Sequence, residues 1–380
     1  MSVLTSILGV AVIFLILLDA FETVVLPRRV TRHFRLSGWF YRNTWRPWKG
    51  IAKLIQSPAR REAILGYFGP LSLIFLLALW AMGLIFGFAL LQYGTGQHLQ
   101  FVGQVSSIWL LLYHSGETFF TLGYGDIVPT TSTARALAVF EAGMGFAFLG
   151  VVIGYLPTIY SAFSRREIEI ALLDARAGSP PTAAELLARF GKCPQQTVLD
   201  AILRDWERWS AEILESHLSY PVLSFFRSQH NNQSWLAALT TILDTTAMVI
   251  AGIEGIHNEQ ARLTFAVARH AVVDLAQVVN ARYDPKEPER LPPAEFARLR
   301  DYLGENGLRI ADSEAFAEKL NKMRALYEPY AAAIGRNLFY MVPPWIHSAK
   351  TKDNWQAGPW DRAVQARSLA QRVQTMEEHF

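Results

Sequence analysis

The chain has 380 residues, of which 51% are hydrophobic and only 18% charged, and its mean hydropathy is +0.16. Ordinary soluble domains carry about 25% charged residues, so a disordered chain and a wholly soluble enzyme both fit poorly, and the single cysteine, Cys193, excludes a disulfide framework or a cysteine-rich zinc module. The net charge of +3 divides unevenly, with eleven Lys/Arg against six Asp/Glu up to Phe163 and 25 against 27 beyond it, which reads as a membrane half followed by a water-soluble half.

Residues 1–26 open with an apolar run whose centre, Leu8 to Leu18, has no polar side chain. About twenty apolar residues cross a bilayer core. No basic n-region and no small-x-small cleavage site accompany the run, so it is expected as a retained N-terminal transmembrane helix. Asp19 and Glu22 lie near its inner end and are expected to pair with Arg28 or Arg29. Residues 27–66 form a linker in which ten Lys/Arg lie between Arg28 and Arg61 without one acid. Short basic loops stay cytoplasmic. Trp39, Trp45 and Trp48 are interleaved, a mixture suited to membrane lipid and to an anionic leaflet along 27–61. Pro27, Pro47 and Pro58 interrupt the basic residues, which lie outside the spans and so do not make a voltage sensor.

A second span is expected at 67–93. The following loop, Gly94 to Gln104, has no Lys or Arg and should be external. The N-terminus is then outside and the C-terminal half cytoplasmic, in a multi-pass protein of the cell's inner (plasma) membrane. Residues 105–120 are apolar but too short to cross and return at ~1.5 Å per residue. They read as a half-helix dipping into the membrane, followed by Thr121-Leu122-Gly123-Tyr124-Gly125-Asp126. Non-helical backbone is tolerated at such depth only where protein buries it or it lines a water-filled path. A third span follows at 134–163. Its one charged residue after Arg135, Glu141, is costly there and is expected to pair with a polar neighbour.

Thr121 to Asp126 differs from the potassium-channel signature TVGYGD only by Leu for Val. The stretch from about Phe68 to Phe163 resembles the potassium-channel pore domain. With one such element per chain, it is similar to the prokaryotic potassium channel family, with an extra N-terminal span. The resemblance implies K+ ions held by the carbonyls of Thr121, Leu122, Gly123 and Tyr124 and by the Thr121 hydroxyl. Gly123 and Gly125 would supply left-handed backbone, which a β-carbon penalises. Leu122 and Tyr124 would pack behind the strand. Four chains would close the ring, and no cofactor beyond the permeant ion is implied.

The pattern Ser115-x-Glu117-Thr118-x-x-Thr121-x-Gly123-Tyr124-Gly125-Asp126 further implies that Glu117 and Asp126 share a proton behind the filter, with Tyr113 as a possible donor and Thr118 in support. His114 reads as a wall residue. In the third span the resemblance places a hinge at Gly145 and cavity-facing Phe146, Leu149 and Ile153. Gly154 and Pro157 are further weak points near the gate, and Gly150-xxx-Gly154 is a close-packing motif.

Residues 164–380 have helical periodicity. Helices are expected at Arg165–Ala177, Thr182–Phe190, Gln195–His217, Trp235–Ile253, Glu259–Arg282, Pro293–Leu303, Ser313–Leu338 and Pro359–Glu378. Asp244 and several threonines favour a buried bundle helix over a fourth span at 235–253. No G-x-G-x-x-G nucleotide fingerprint follows a strand, and His217, His230, His257 and His270 make no tight metal pair. The expected fold is an all-α membrane protein with a helical cytoplasmic domain at 164–380 that takes an unidentified ligand or signal and no nucleic acid. The expected function is a homotetrameric, potassium-selective channel. A weakly selective cation channel and a membrane-anchored scaffold with a vestigial pore are its rivals.

Overall fold

The computed structural model describes residues 2–26, 35–96, 99–101, 108–192, 194–230, 232–310, 314–347 and 360. Arg28, Arg29, Arg32, Cys193, residues 105–107 and the helix expected at Pro359–Glu378 lie outside them. The chain divides into two compact units, Met1–Ser164 with Ser216–Arg227, and Arg165–Glu215 with Ser228–Phe380.

The first unit holds α1 (Ser2–Ala20), which ends in a π turn at Phe21–Val25, then α2 (Leu36–Lys53), α3 (Pro58–Gly94), α4 (Ile108–Phe119) and the start of α5 (Ser132–Ala177). α1 packs along α3 at glycines. A Cβ on Gly9 would lie 2.7 Å from the Gly87 carbonyl oxygen, and one on Gly87 would lie 2.7 Å from Ile13. The remaining face of α1 exposes Leu4, Ile7, Leu8 and Phe14, and α3 exposes Ile74, Phe75 and Met82. An apolar skin of this extent suits lipid rather than water. Among the described residues four helices are long and apolar enough to cross a membrane: α1, α3, α5 and Trp235–Gly252.

The linker is more ordered than its prolines suggest, because α2 runs through Pro47 as an amphipathic helix. Ser37, Phe40, Trp45 and Ala52 are buried, while Trp39, Arg42, Arg46, Ile51 and Leu54 are exposed. Asp19 holds its start. The fully buried Asp19 carboxylate accepts from the Ser37 N–H at 3.0 Å, the Ser37 hydroxyl at 3.1 Å and the Trp80 indole N–H at 3.0 Å. Its donors among the described residues are these neutral groups, and the expected partners Arg28 and Arg29 lie outside the described residues. The Ser37 N–H is one of the orphan donors of a helix start, so a carboxylate is favoured there. Glu22 pairs with Arg35 at 3.7 Å.

Residues 216–227 return to this unit and wedge among its helices. Tyr220-Pro221 starts a 3-10 turn, Pro221–Phe225, with proline where a missing N–H costs nothing. Phe225 stacks on Tyr41 at 5.5 Å and meets the Trp45 and Phe68 rings edge-on or tilted, each at 5.2 Å. Phe226 meets Tyr160 at 6.0 Å and Phe163 at 5.6 Å, and a Cβ on Gly69 would lie 2.7 Å from its ring. Val222, Leu223 and Phe226 complete a core with Leu73, Tyr155, Ile159 and Ala162. Arg227 closes the segment by pairing with Glu62 at 3.2 Å.

In the second unit the helix expected at Arg165–Ala177 is the tail of α5 rather than a separate element. It is followed by α6 (Ala183–Gly191), α7 (Gln196–Ser219, of which 196–215 lie here), α8 (Trp235–Gly252), α9 (Glu259–Val278), α10 (Pro293–Glu305), α11 (Glu314–Ala325) and α12 (Glu328–Leu338). Thr182 and Ser234 cap α6 and α8 through the N–H groups of Glu185 and Ala237. The single helix expected at Ser313–Leu338 is two. Pro329 has no N–H to give the Ala325 carbonyl four residues back, and its ring would clash there, so α11 ends, while a proline fits the first turn of α12.

α8 packs against α6, α9, α11 and α12, and each of its residues from Trp235 to Ile250 is buried. It has no face left for lipid and serves as the core helix of this unit. Its hydroxyls are satisfied locally, with Thr240, Thr245 and Thr246 donating to the carbonyls of Leu236, Thr241 and Ile242 at 2.7–2.8 Å. Buried Asp244 accepts both guanidinium ends of Arg290, at 2.7 and 3.2 Å. Burial opposes the Arg290 charge, but Asp244 and then Glu328 overcome it and hold its pKa above the ordinary value. Burial likewise opposes ionisation of Glu185, yet Arg189 and Tyr302 outweigh it and depress that carboxyl.

Candidate functional site

Ile108-Trp-Leu-Leu-Leu gives α4 an apolar start, and its C-terminal carbonyls are capped by the backbone that follows. Phe120 N–H donates to Gly116 O at 3.0 Å, Thr121 N–H to Thr118 O at 3.1 Å and Leu122 N–H to Glu117 O at 2.9 Å. The chain then leaves the helix in a non-helical strand. Its backbone is left-handed at alternate residues, with φ of +55° at Thr121, +63° at Gly123 and +77° at Gly125. Alternating handedness can turn successive peptide groups to one side, as in ion-binding concavities. All six residues from Thr121 to Asp126 are exposed in the single chain.

Two side chains from α4 brace this strand. The Tyr113 hydroxyl donates to Asp126 Oδ2 at 3.1 Å. Buried Glu117 accepts from the Gly125 N–H through Oε1, a long bond of 3.4 Å. Among the described residues no hydrogen bond joins Glu117 to Asp126, the pair expected to share a proton, and each carboxyl has its own donor. Tyr113 reaches Asp126 first, and Glu117 is turned to the backbone. His114 is buried in the α4 wall.

The strand exit is pinned by a feature too short to be read as alternation in the sequence. β1 (Leu99–Phe101) pairs antiparallel with β2 (Ile127–Pro129), placing Leu99 opposite Pro129 and Phe101 opposite Ile127.

α5 passes unbroken through Gly145 and Pro157. Phe146, Leu149, Ile153 and Pro157 recur at three- and four-residue steps, and they and Gly154 are exposed, Phe146 at 74% and Ile153 at 64%. They make one uncovered face. Gly145 is buried on the other side, where a Cβ would overlap the Phe119 carbonyl oxygen. The expected hinge glycine is thus also a point of close packing, while Gly150 and Gly154, expected to pack, have open space around them in the single chain. Glu141 finds its polar neighbours in Gln92 of α3 and Ser115 of α4. Gln92 carries no sequence signal of that role, since the contact joins residues 49 apart.

Among the described residues no group of three or more His, Cys, Asp or Glu is placed to hold a metal ion.

Residues 74–161 match the family described as "Ion channel". The chain is also 22% identical over 292 residues to the uncharacterized membrane protein YdjJ of Bacillus subtilis (strain 168), covering 76% of this chain and 80% of that relative. That alignment is much longer than the pore match, so it extends well beyond the pore. No solved structure matches the chain. Residues 74–161, which contain α4, the segment 121–126 and the first part of α5, are an ion-channel pore domain within a chain whose described residues are almost all helical.

Proposed function

We propose that the chain is the subunit of a homotetrameric, potassium-selective channel of the cell membrane. The observation that carries this reading is the left-handed backbone at Gly123 and Gly125, in a Thr-Leu-Gly-Tyr-Gly-Asp segment that follows the short apolar helix α4. A potassium ion stripped of water needs oxygens on all sides. One exposed strand gives them on one side only, so the ring needs copies of the chain. The carbonyls of Thr121, Leu122, Gly123 and Tyr124 would bind the ion. The face of Phe146, Leu149 and Ile153 would line the vestibule below. Purified protein in liposomes should show a reversal potential that follows the K+ gradient and ignores Na+. Equal permeability would leave a weakly selective cation channel. The scaffold reading would require no flux at all.

Gating would act on α5, and residues 216–227 supply a handle. Phe226 holds the inner end of α5 through Tyr160 and Phe163, while Phe225 holds α2 and α3. The wedge is continuous in sequence with α7, so a signal received by the helical domain can reach α5 through it. Phe226→Ala removes a buried ring, a change worth roughly 3–5 kcal/mol of packing. The expected result is a shifted open probability with an unchanged reversal potential. Single-channel recordings check both, and an unchanged open probability would remove the wedge from the gating mechanism. The exposed Trp39, Arg42, Arg46 and Ile51 of α2 suit a lipid interface with anionic headgroups.

A further inference from the structure

Glu141 is fully buried in a helix long and apolar enough to cross a membrane, and among the described residues no cation pairs with it. Its neighbours are neutral. Gln92 Nε2 donates to Glu141 Oε2 at 2.9 Å, and Ser115 Oγ touches Glu141 Oε1. Ser115 Oγ also lies 2.8 Å from the carbonyl oxygen of Ile85 in α3. A serine hydroxyl has one hydrogen, and a backbone carbonyl can only accept. If Ser115 gives its hydrogen to Ile85, the contact with Glu141 is a hydrogen bond only if Glu141 brings a proton. An unpaired carboxylate would be very costly at this depth, whereas a neutral acid satisfies every neighbour.

The same two helices touch again one turn further on. Glu141 and Gly145 are four residues apart on α5, and Ser115 and Phe119 are four apart on α4. The pore helix is therefore seated on α5 at a polar point, Ser115 on Glu141, and at a close backbone approach, Phe119 on Gly145. The ion-facing strand begins two residues after Phe119.

We propose that Glu141 is a positioning residue for ion selectivity: as a neutral acid it ties α4 to α5 and, through Gln92 and the Ile85 carbonyl, to α3, fixing the half-helix from which the strand 121–126 emerges. The inference rests on the channel reading. It differs from the support given by Glu117 and Tyr113, which act on the strand itself.

Glutamine can donate to Ser115 and accept from Gln92 as the neutral acid does, whereas valine can do neither. In liposomes, Glu141→Val and Ser115→Ala should each lower the K+-over-Na+ permeability ratio by about tenfold, the factor expected for one lost buried hydrogen bond. Glu141→Gln should restore the ratio to within about twofold, a small fraction of the worth of that bond. An infrared spectrum of the wild type should carry the C=O band of a neutral carboxylic acid, and Glu141→Gln should lack it. Unchanged selectivity in Ser115→Ala and Glu141→Val overturns the positioning role. A glutamine variant as poor as valine, or no band lost in it, overturns the neutral acid. Should Glu141→Val fail to assemble, Ser115→Ala, which removes only a hydroxyl, decides. A wild type that passes no K+ defeats the channel reading instead, and the band still decides the proton.

Discussion

Gly123→Ser is expected to abolish K+ flux while leaving the helices in place. Gly123 has φ of +63°, and nothing lies within 4 Å of the position a Cβ would take. The effect is therefore one of backbone conformation rather than collision. Left-handed backbone costs an L-residue about 1–2 kcal/mol. In the proposed ring of four chains the cost would be incurred four times, or about 4–8 kcal/mol for the set. The peptide groups on either side of residue 123 would rotate to relieve it, and each rotation would take a carbonyl away from the proposed ion site. Liposome flux measured beside circular dichroism and the oligomeric state checks the result. Full K+ flux in the serine variant would remove the strand 121–126 from the ion path. Gly125, at φ +77°, should behave alike, with an added loss because its N–H also braces Glu117.

The parts legible in the sequence are those governed by local rules. Apolar length marks α1, α3 and α5, and the six residues from Thr121 to Asp126 carry their backbone requirement in their glycines. α8 was legible as a buried helix because Asp244 and its threonines are too polar for lipid yet sit within an apolar repeat. The parts that were not legible depend on distant partners. The run Tyr220 to Phe226 is too short for any period, and its destination beside Tyr41, Phe68 and Phe163 follows only from tertiary packing. The charge of Asp19 is visible in a sequence. The Ser37 backbone N–H and the Trp80 indole that it meets carry no such signal. Pro47 read as an interruption, yet the Phe40, Trp45 and Ala52 contacts of α2 hold a helix through it.

Gly145→Ala separates two readings of one glycine. As a hinge, Gly145 would supply flexibility. Alanine, the best helix former, would then stiffen α5, shift the open probability and leave the reversal potential alone. As a packing residue, Gly145 supplies space, and the structure places the Phe119 carbonyl oxygen where the alanine methyl must go. That oxygen is backbone, at the end of α4, and it cannot swing aside as a side chain can. α4 must move away from α5, or α5 must bend outward. Either shift is carried to Thr121, two residues on, and weakens the contact of Ser115 with Glu141 one turn back. Overpacking of this kind costs typically 1–3 kcal/mol, taken here in each chain at the root of the strand. The expected result is a loss of K+-over-Na+ selectivity of tenfold or more, by the 1.4 kcal/mol per decade that relates energy to equilibrium, together with a lower thermal stability of the assembled channel. Reversal potentials and a melting curve of the purified protein check it. An alanine variant that keeps full selectivity and changes only its gating assigns Gly145 to bending, and the seat of the pore helix on α5 then rests on Glu141 and Ser115 alone.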